Sequence, residues 1–198
     1  MATPRRKLPA PLKDALKAVA AALDALPARG MLIGGIAAIM RGVPRATRDI
    51  DVTISGGHGP LADTAHVLAG RGLVPRIPNA LAFADANQVL LLRHEPSGVE
   101  IDLSLAWLSF EEEAISAAEL LDVGGARVPV ARPEDLIIYK AVAWRPQDQQ
   151  DIERLMALHR SSIDEQRVLR VVTELVEALG TPERMAELRR LLEGRGPG

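Results

Sequence analysis

Asp49 and Asp51 stand two residues apart in DIDVTI, a segment in which charged and apolar residues alternate. In a strand this spacing sends both carboxylates out of one face, about 6.6 Å apart along the backbone, while Ile50, Val52 and Ile54 point into the core. Asp102 holds a similar place in VEIDLSL, with Glu100 and Ser104 on its face and Ile101, Leu103 and Leu105 on the other. If the two strands lie side by side, three carboxylates converge. A hard divalent cation bound by oxygens relieves their repulsion, as in magnesium sites that handle phosphates. Such a cluster can hold two ions ~3.5–4 Å apart, one activating the attacking hydroxyl and the other stabilising the leaving oxygen. The same alternation also suits a polar strand face bathed in water, with Glu100 the exposed partner of an arginine.

Gly34 and Gly35 precede these acids, between a short apolar run and a helical one. Without side chains the backbone can approach a phosphate, and a helix N-terminus offers free N–H groups; a Gly-Gly pair also serves as a tight turn. In PEDLIIYKAVAW, Lys140 sits beside Leu136, Ile137 and Tyr139, and a lysine beside an apolar stripe is either snorkelling or aimed at a ligand. Asp148 and Asp151 are three apart and share a helix face, where Arg145 or Arg154 could pair with them. The four histidines, His58, His66, His94 and His159, have no metal-ligand spacing. His58 lies between glycines just after the Asp strand and is placed to touch substrate or merely to decorate the surface. There is no Gly-x-Ser-x-Gly elbow and no Walker loop, and aromatics at 3% are too few to stack single-stranded nucleic acid.

The run GGIAAIMRGVPRATRDIDVTI resembles the signature of the nucleotidyltransferase superfamily with the DNA polymerase β-like fold. There a Gly-Ser or Gly-Gly turn and a helix lead to Asp-x-Asp, with a third Asp on a later strand. Arg45 to Asp51, in the form Arg-x-Thr-Arg-Asp-Ile-Asp, looks most like the AbiEii-like abortive-infection toxins and the related mycobacterial nucleotidyltransferase toxins. That group continues with a helical Lys, then Ala, then Arg-x-Lys-Asp-x-x-Asp-Leu. Lys140, Ala143, Arg145, Asp148, Asp151 and Ile152 fit this pattern, whereas Gln147 replaces the Lys and Gly35 the frequent Ser. The resemblance covers roughly residues 31 to 155. It implies that Asp49, Asp51 and Asp102 bind Mg2+, that Gly34, Gly35, Thr47, Arg48 and Lys140 contact the NTP, and that Asp151 positions or deprotonates the acceptor. It further implies an RNA acceptor such as the tRNA 3′ end, and a cognate antitoxin protein. A small-molecule, aminoglycoside-type transferase and a catalytically silent binding partner are the alternatives.

The elements that must position these residues follow from periodicity. Leu12, Leu16, Val19, Leu23 and Leu26 recur at helical spacing, and Pro27 and Gly30 end that helix. MLIG, DIDVTI, QVLLLRH, VEIDLSL and ARVPV read as strands, with a turn at Glu95–Gly98 joining two of them into a hairpin. LADTAHVLAGRG and EEEAISAAELL read as helices, and PRIPNALAFADAN as an irregular stretch. Pro133 opens a helix, followed by helices at 148–159, 163–179 and 182–192. The expected fold is α/β (α+β): a flexible tail over 1–11, a mixed-sheet nucleotidyltransferase core over 12–132 and a helical bundle over 133–198.

Composition bounds the rest. At 198 residues and 47% hydrophobic the chain can bury an aliphatic core unaided. No Cys is present, which excludes disulfides, thiolate nucleophiles and cysteine-based zinc sites. The basic start runs into a segment carrying Lys13, Asp14, Lys17 and Asp24, unlike a signal peptide or membrane span, so a cytoplasmic protein without membrane contact is expected. A net charge of −2 gives no global attraction to nucleic acid. An RNA acceptor therefore requires a local concentration of cations, for which Arg41, Arg45, Arg48, Arg76 and Arg93 are the candidates, with the C-terminal arginines interleaved among acids.

Overall fold

The computed structural model describes residues 8–56, 59–123 and 125–193. His58 lies outside them, as do the first seven residues of the expected tail. Two compact units form: residues up to Met40 together with Arg45–Ala131, and Arg41–Pro44 together with Arg132 onward.

In the first unit, β1 (Gly30–Ile33), β2 (Ile50–Ile54), β3 (Leu73–Pro75), β4 (Val89–His94), β5 (Glu100–Leu105), β6 (Glu119–Val123) and β7 (Ala126–Val130) build one mixed sheet. Its order is β3-β4-β5-β2-β1-β7-β6. The central β2 runs parallel to β5 and antiparallel to β1, and β1 is parallel to β7. Alternation does what it should: Ile50, Val52, Ile54, Ile101, Leu103 and Leu105 are all buried. The helix α1 (Ala10–Ala25) buries its full stripe Leu12, Leu16, Val19 and Leu23, and α2 (Gly34–Met40) packs on β1 and β2. The remaining helices here are α3 (Leu61–Ala69), α4 (Ala80–Asn87) and α5 (Ser109–Ala117).

Three departures from the sequence reading have physical causes. The first helix starts at Ala10, inside the expected tail, because Pro11 has the backbone angle that a first helical turn needs. The stretch read as irregular contains β3 at its approach and α4 within it. Asn79 and Gln88, left-handed at φ 53° and 55°, bracket the eight residues of α4 so closely that little periodicity can develop. The helix expected to reach residue 121 stops at Ala117, and Glu119–Val123 becomes an edge strand on β7 with Leu121 opposite Val128. Ladder pairing overrides local helix preference there.

The second unit contains α6 (Pro133–Ala143), α7 (Pro146–His159), α8 (Glu165–Ala178) and α9 (Arg184–Leu192). Trp144 turns the chain at φ 55°, and Pro146 opens α7 two residues earlier than the periodicity indicates. Within this unit the His159 Nε2–H donates to the Arg41 carbonyl at 2.6 Å, and α6 packs against α7 and α8.

Candidate active site

The parallel pairing of β2 with β5 sets Asp51 directly opposite Asp102, with Ile50 opposite Ile101. Two carboxylates 51 residues apart in sequence thus stand side by side on one sheet face. Asp49 lies one residue before β2 and is exposed. On the other flank of β2, the antiparallel β1 places Ile33 opposite Asp51. The chain then turns at once into α2, so Gly34 and Gly35 arrive against the Asp51 carboxylate.

Gly34 has φ 60°, and a methyl group on it would overlap the Asp51 carboxylate. The Gly35 N–H donates to Asp51 Oδ2 at 3.3 Å. A methyl on Gly35 would come to 2.5 Å from Thr47 Oγ1, and that hydroxyl donates to Asp49 Oδ1 at 2.5 Å. Gly34, Gly35, Thr47, Asp49 and Asp51 therefore form one tightly packed group. Arg45 brings its guanidinium to the edge of the same turn, 3.4 Å from where a Gly35 Cβ would be. Arg48 is exposed beside Asp49. An apolar recess lined by Leu8, Pro9, Leu12 and Ile39 adjoins Arg45 and Thr47.

Asp102 has a second neighbour. Arg76 donates from Nη2 to Asp102 Oδ1 at 2.5 Å and from Nη1 to Glu100 Oε2 at 3.0 Å, so one guanidinium spans two carboxylates of β5. Arg93, opposite Glu100 in the β4–β5 register, is exposed. With Asp102 held by Arg76 and Asp49 by Thr47, the described residues contain no group of three His, Asp or Glu side chains gathered to hold a metal ion. The donor chemistry still fits a hard divalent cation: carboxylate oxygens on facing positions, beside a turn too narrow for any side chain.

Lys140 and Asp151 belong to the second unit. Lys140 is buried rather than snorkelling: its Nζ donates to Asp151 Oδ2 at 2.7 Å and to Asp148 Oδ1 at 3.4 Å. Asp151 is fully buried. Asp148 also accepts from the Arg145 N–H at 3.1 Å, capping α7. A second buried ionic group, absent from the sequence reading, surrounds Asp135, which accepts from Arg132 Nε at 3.0 Å and from Arg167 Nη1 at 2.6 Å. The i, i+3 spacing of Arg132 and Asp135 is the signal that points to it; the contact with Arg167 has none. Polar Gln149, Glu153, Glu187 and Arg190, together with apolar Pro146 and Leu191, line a groove of about 590 Å³ between α7 and α9.

Residues 13–191 match the model of the family described as "Nucleotidyl transferase of unknown function (DUF2204)". No curated protein matches the chain. Among solved structures, the chain is similar to an antigenic nucleotidyltransferase-like protein from Paracoccidioides brasiliensis, with TM-score 0.55 and 17% identity over 95% of both chains. ANT(2")-Ia in complex with adenylyl-2"-tobramycin aligns with TM-score 0.48 and 18% identity over 94% of this chain and 99% of the other.

Proposed function

The chain belongs to this nucleotidyl transferase family, and from that premise we propose that it moves a nucleoside monophosphate from an NTP to a hydroxyl on RNA. The observation that carries this reading is the facing pair Asp51 and Asp102 beside the Gly34–Gly35 turn. In the reaction the acceptor oxygen bonds to the α-phosphorus, the bond from that phosphorus to the bridging oxygen breaks, and pyrophosphate leaves with the electron pair. The hydroxyl proton passes to a base.

Enzymes that transfer nucleotidyl groups generally use divalent metal, and Mg2+ is assigned here to Asp49, Asp51 and Asp102. When bound, it supplies neutralisation of the triphosphate charge. The chain's own residues do the rest of the positioning. Gly34 and Gly35 leave room for phosphate to approach the backbone, and Thr47 fixes the direction of Asp49. Arg48, exposed beside Asp49, is assigned to the anionic substrate. Lys140 and Asp151, which the family resemblance assigns to the triphosphate and the acceptor hydroxyl, are bound to each other in the interior of the second unit.

The RNA acceptor, with the tRNA 3′ end as its most specific form, the toxin role and a cognate antitoxin come from the likeness of Arg45–Asp51 to the AbiEii-like pattern. Arg45 and Arg48 beside the acids support an anionic acceptor rather than a cationic one. Among the described residues no helix is long and apolar enough to cross a membrane, and the NTP substrate supports the reading of a cytoplasmic protein. The test is incubation with each α-labelled NTP, Mg2+ and either total tRNA or an aminoglycoside panel. Label on tRNA is expected. Label on an aminoglycoside would overturn the acceptor assignment, and label on neither would favour a silent binding partner.

A further inference from the structure

We infer that Arg76 is a resident cation that competes with the catalytic metal for Asp102, so that Asp102 becomes a ligand only when the guanidinium lets go. This rests on the reading of Asp49, Asp51 and Asp102 as the metal site.

The geometry is specific. The Arg76 backbone N–H donates to the Leu91 carbonyl at 3.1 Å, and Leu91 is the register partner of Asp102. The side chain thus starts from a fixed point one strand away. Its guanidinium reaches Asp102 and Glu100, two residues apart on β5 and on one face. In sheet order Arg76 approaches from the β3–β4 side and Asp51 stands on the β2 side, so the Asp102 carboxylate lies between a cation and another acid. Extending the β2–β5 register by one residue sets Asp49 opposite Glu100, which makes a two-by-two array of carboxylates. Arg76 offsets half the charge of one column of that array.

The clamp is also incomplete. Arg76 Nε is buried without a hydrogen-bond partner among the described residues, while Asp102 and Glu100 keep 41% and 59% of their side-chain surface exposed. Buried donors left unmade are costly, and ion pairs this exposed contribute little. An arrangement of this sort exchanges readily. A divalent cation carries twice the charge of the guanidinium and is drawn to the same carboxylate, so it can take the place of Arg76 at Asp102. Arg76 is then a positioning residue that decides when the third ligand is available.

The test is Mn2+ binding to the full-length protein without nucleotide, read by electron paramagnetic resonance of the free ion. Arg76→Gln is expected to bind Mn2+ more tightly than the parent, by up to roughly fivefold, the size of one partly exposed ion pair. Arg93→Gln removes the same charge from the same face, from a residue paired in register with Glu100 rather than Asp102, and is expected to change affinity less. If Arg76→Gln does not fold, Arg76→Lys replaces it. A lysine keeps the charge but cannot bridge two carboxylates as a fork, so a smaller gain in the same direction is expected. Equal gains for Arg76 and Arg93 variants, an unchanged affinity, or weaker binding by the Arg76 variant would overturn the inference and leave the metal site standing. Absence of Mn2+ binding in parent and variants alike would overturn the metal site and the inference with it.

Discussion

Gly34 carries two constraints at once: a left-handed backbone at φ 60° and contact with the Asp51 carboxylate. Gly34→Ala must therefore bear about 1–2 kcal/mol of backbone strain and also push Asp51 aside. The expected outcome is a melting temperature lower by several degrees together with loss of nucleotidyl transfer; a variant that melts and reacts like the parent would contradict the packing described. Asp51→Asn removes charge without removing volume. It should leave the melting temperature unchanged or raised, because it relieves repulsion from Asp102. A fall of several degrees would show instead that Asp51 is a structural residue, chiefly the acceptor for the Gly35 N–H.

At the scale of elements, the helices of the second unit are held by buried ions more than their sequence suggests. Lys140 on α6 is anchored to Asp151 and Asp148 on α7. Lys140→Ala leaves Asp151 uncompensated in the interior and should cost about 3–5 kcal/mol, whereas replacing the pair together by apolar residues should recover most of that. Urea unfolding of both variants checks this; additive losses would mean that the pair is not coupled. Elements with a strong period were legible in the sequence. The α1 stripe and the alternation of DIDVTI and VEIDLSL each follow from one face being buried. What was not legible depends on partners far along the chain. The edge strand Glu119–Val123 exists because β7 offers it a ladder, α4 is too short for periodicity, and the Arg167–Asp135 contact joins residues 32 apart. The side-by-side placement of Asp51 and Asp102 could be posed from alternation, but the strand register had to come from the fold. The grip of Arg76 on Asp102 shows the same limit.

For the whole molecule, a net charge of −2 means that any affinity for RNA is local. Binding of tRNA should weaken as salt rises, with a shallow slope set by a few phosphate contacts, and Arg48→Ala should make the slope shallower still by about one contact. An affinity indifferent to salt would argue against phosphate recognition. The central claim, nucleotidyl transfer at Asp51, is tested most directly by following one NTP labelled at the α-phosphate and, separately, at the γ-phosphate, with tRNA as acceptor. The expected result is α-label on the acceptor, γ-label released in pyrophosphate, and loss of both signals by roughly a hundredfold or more in Asp51→Asn. Appearance of γ-label on the acceptor, or transfer undiminished in Asp51→Asn, would contradict it.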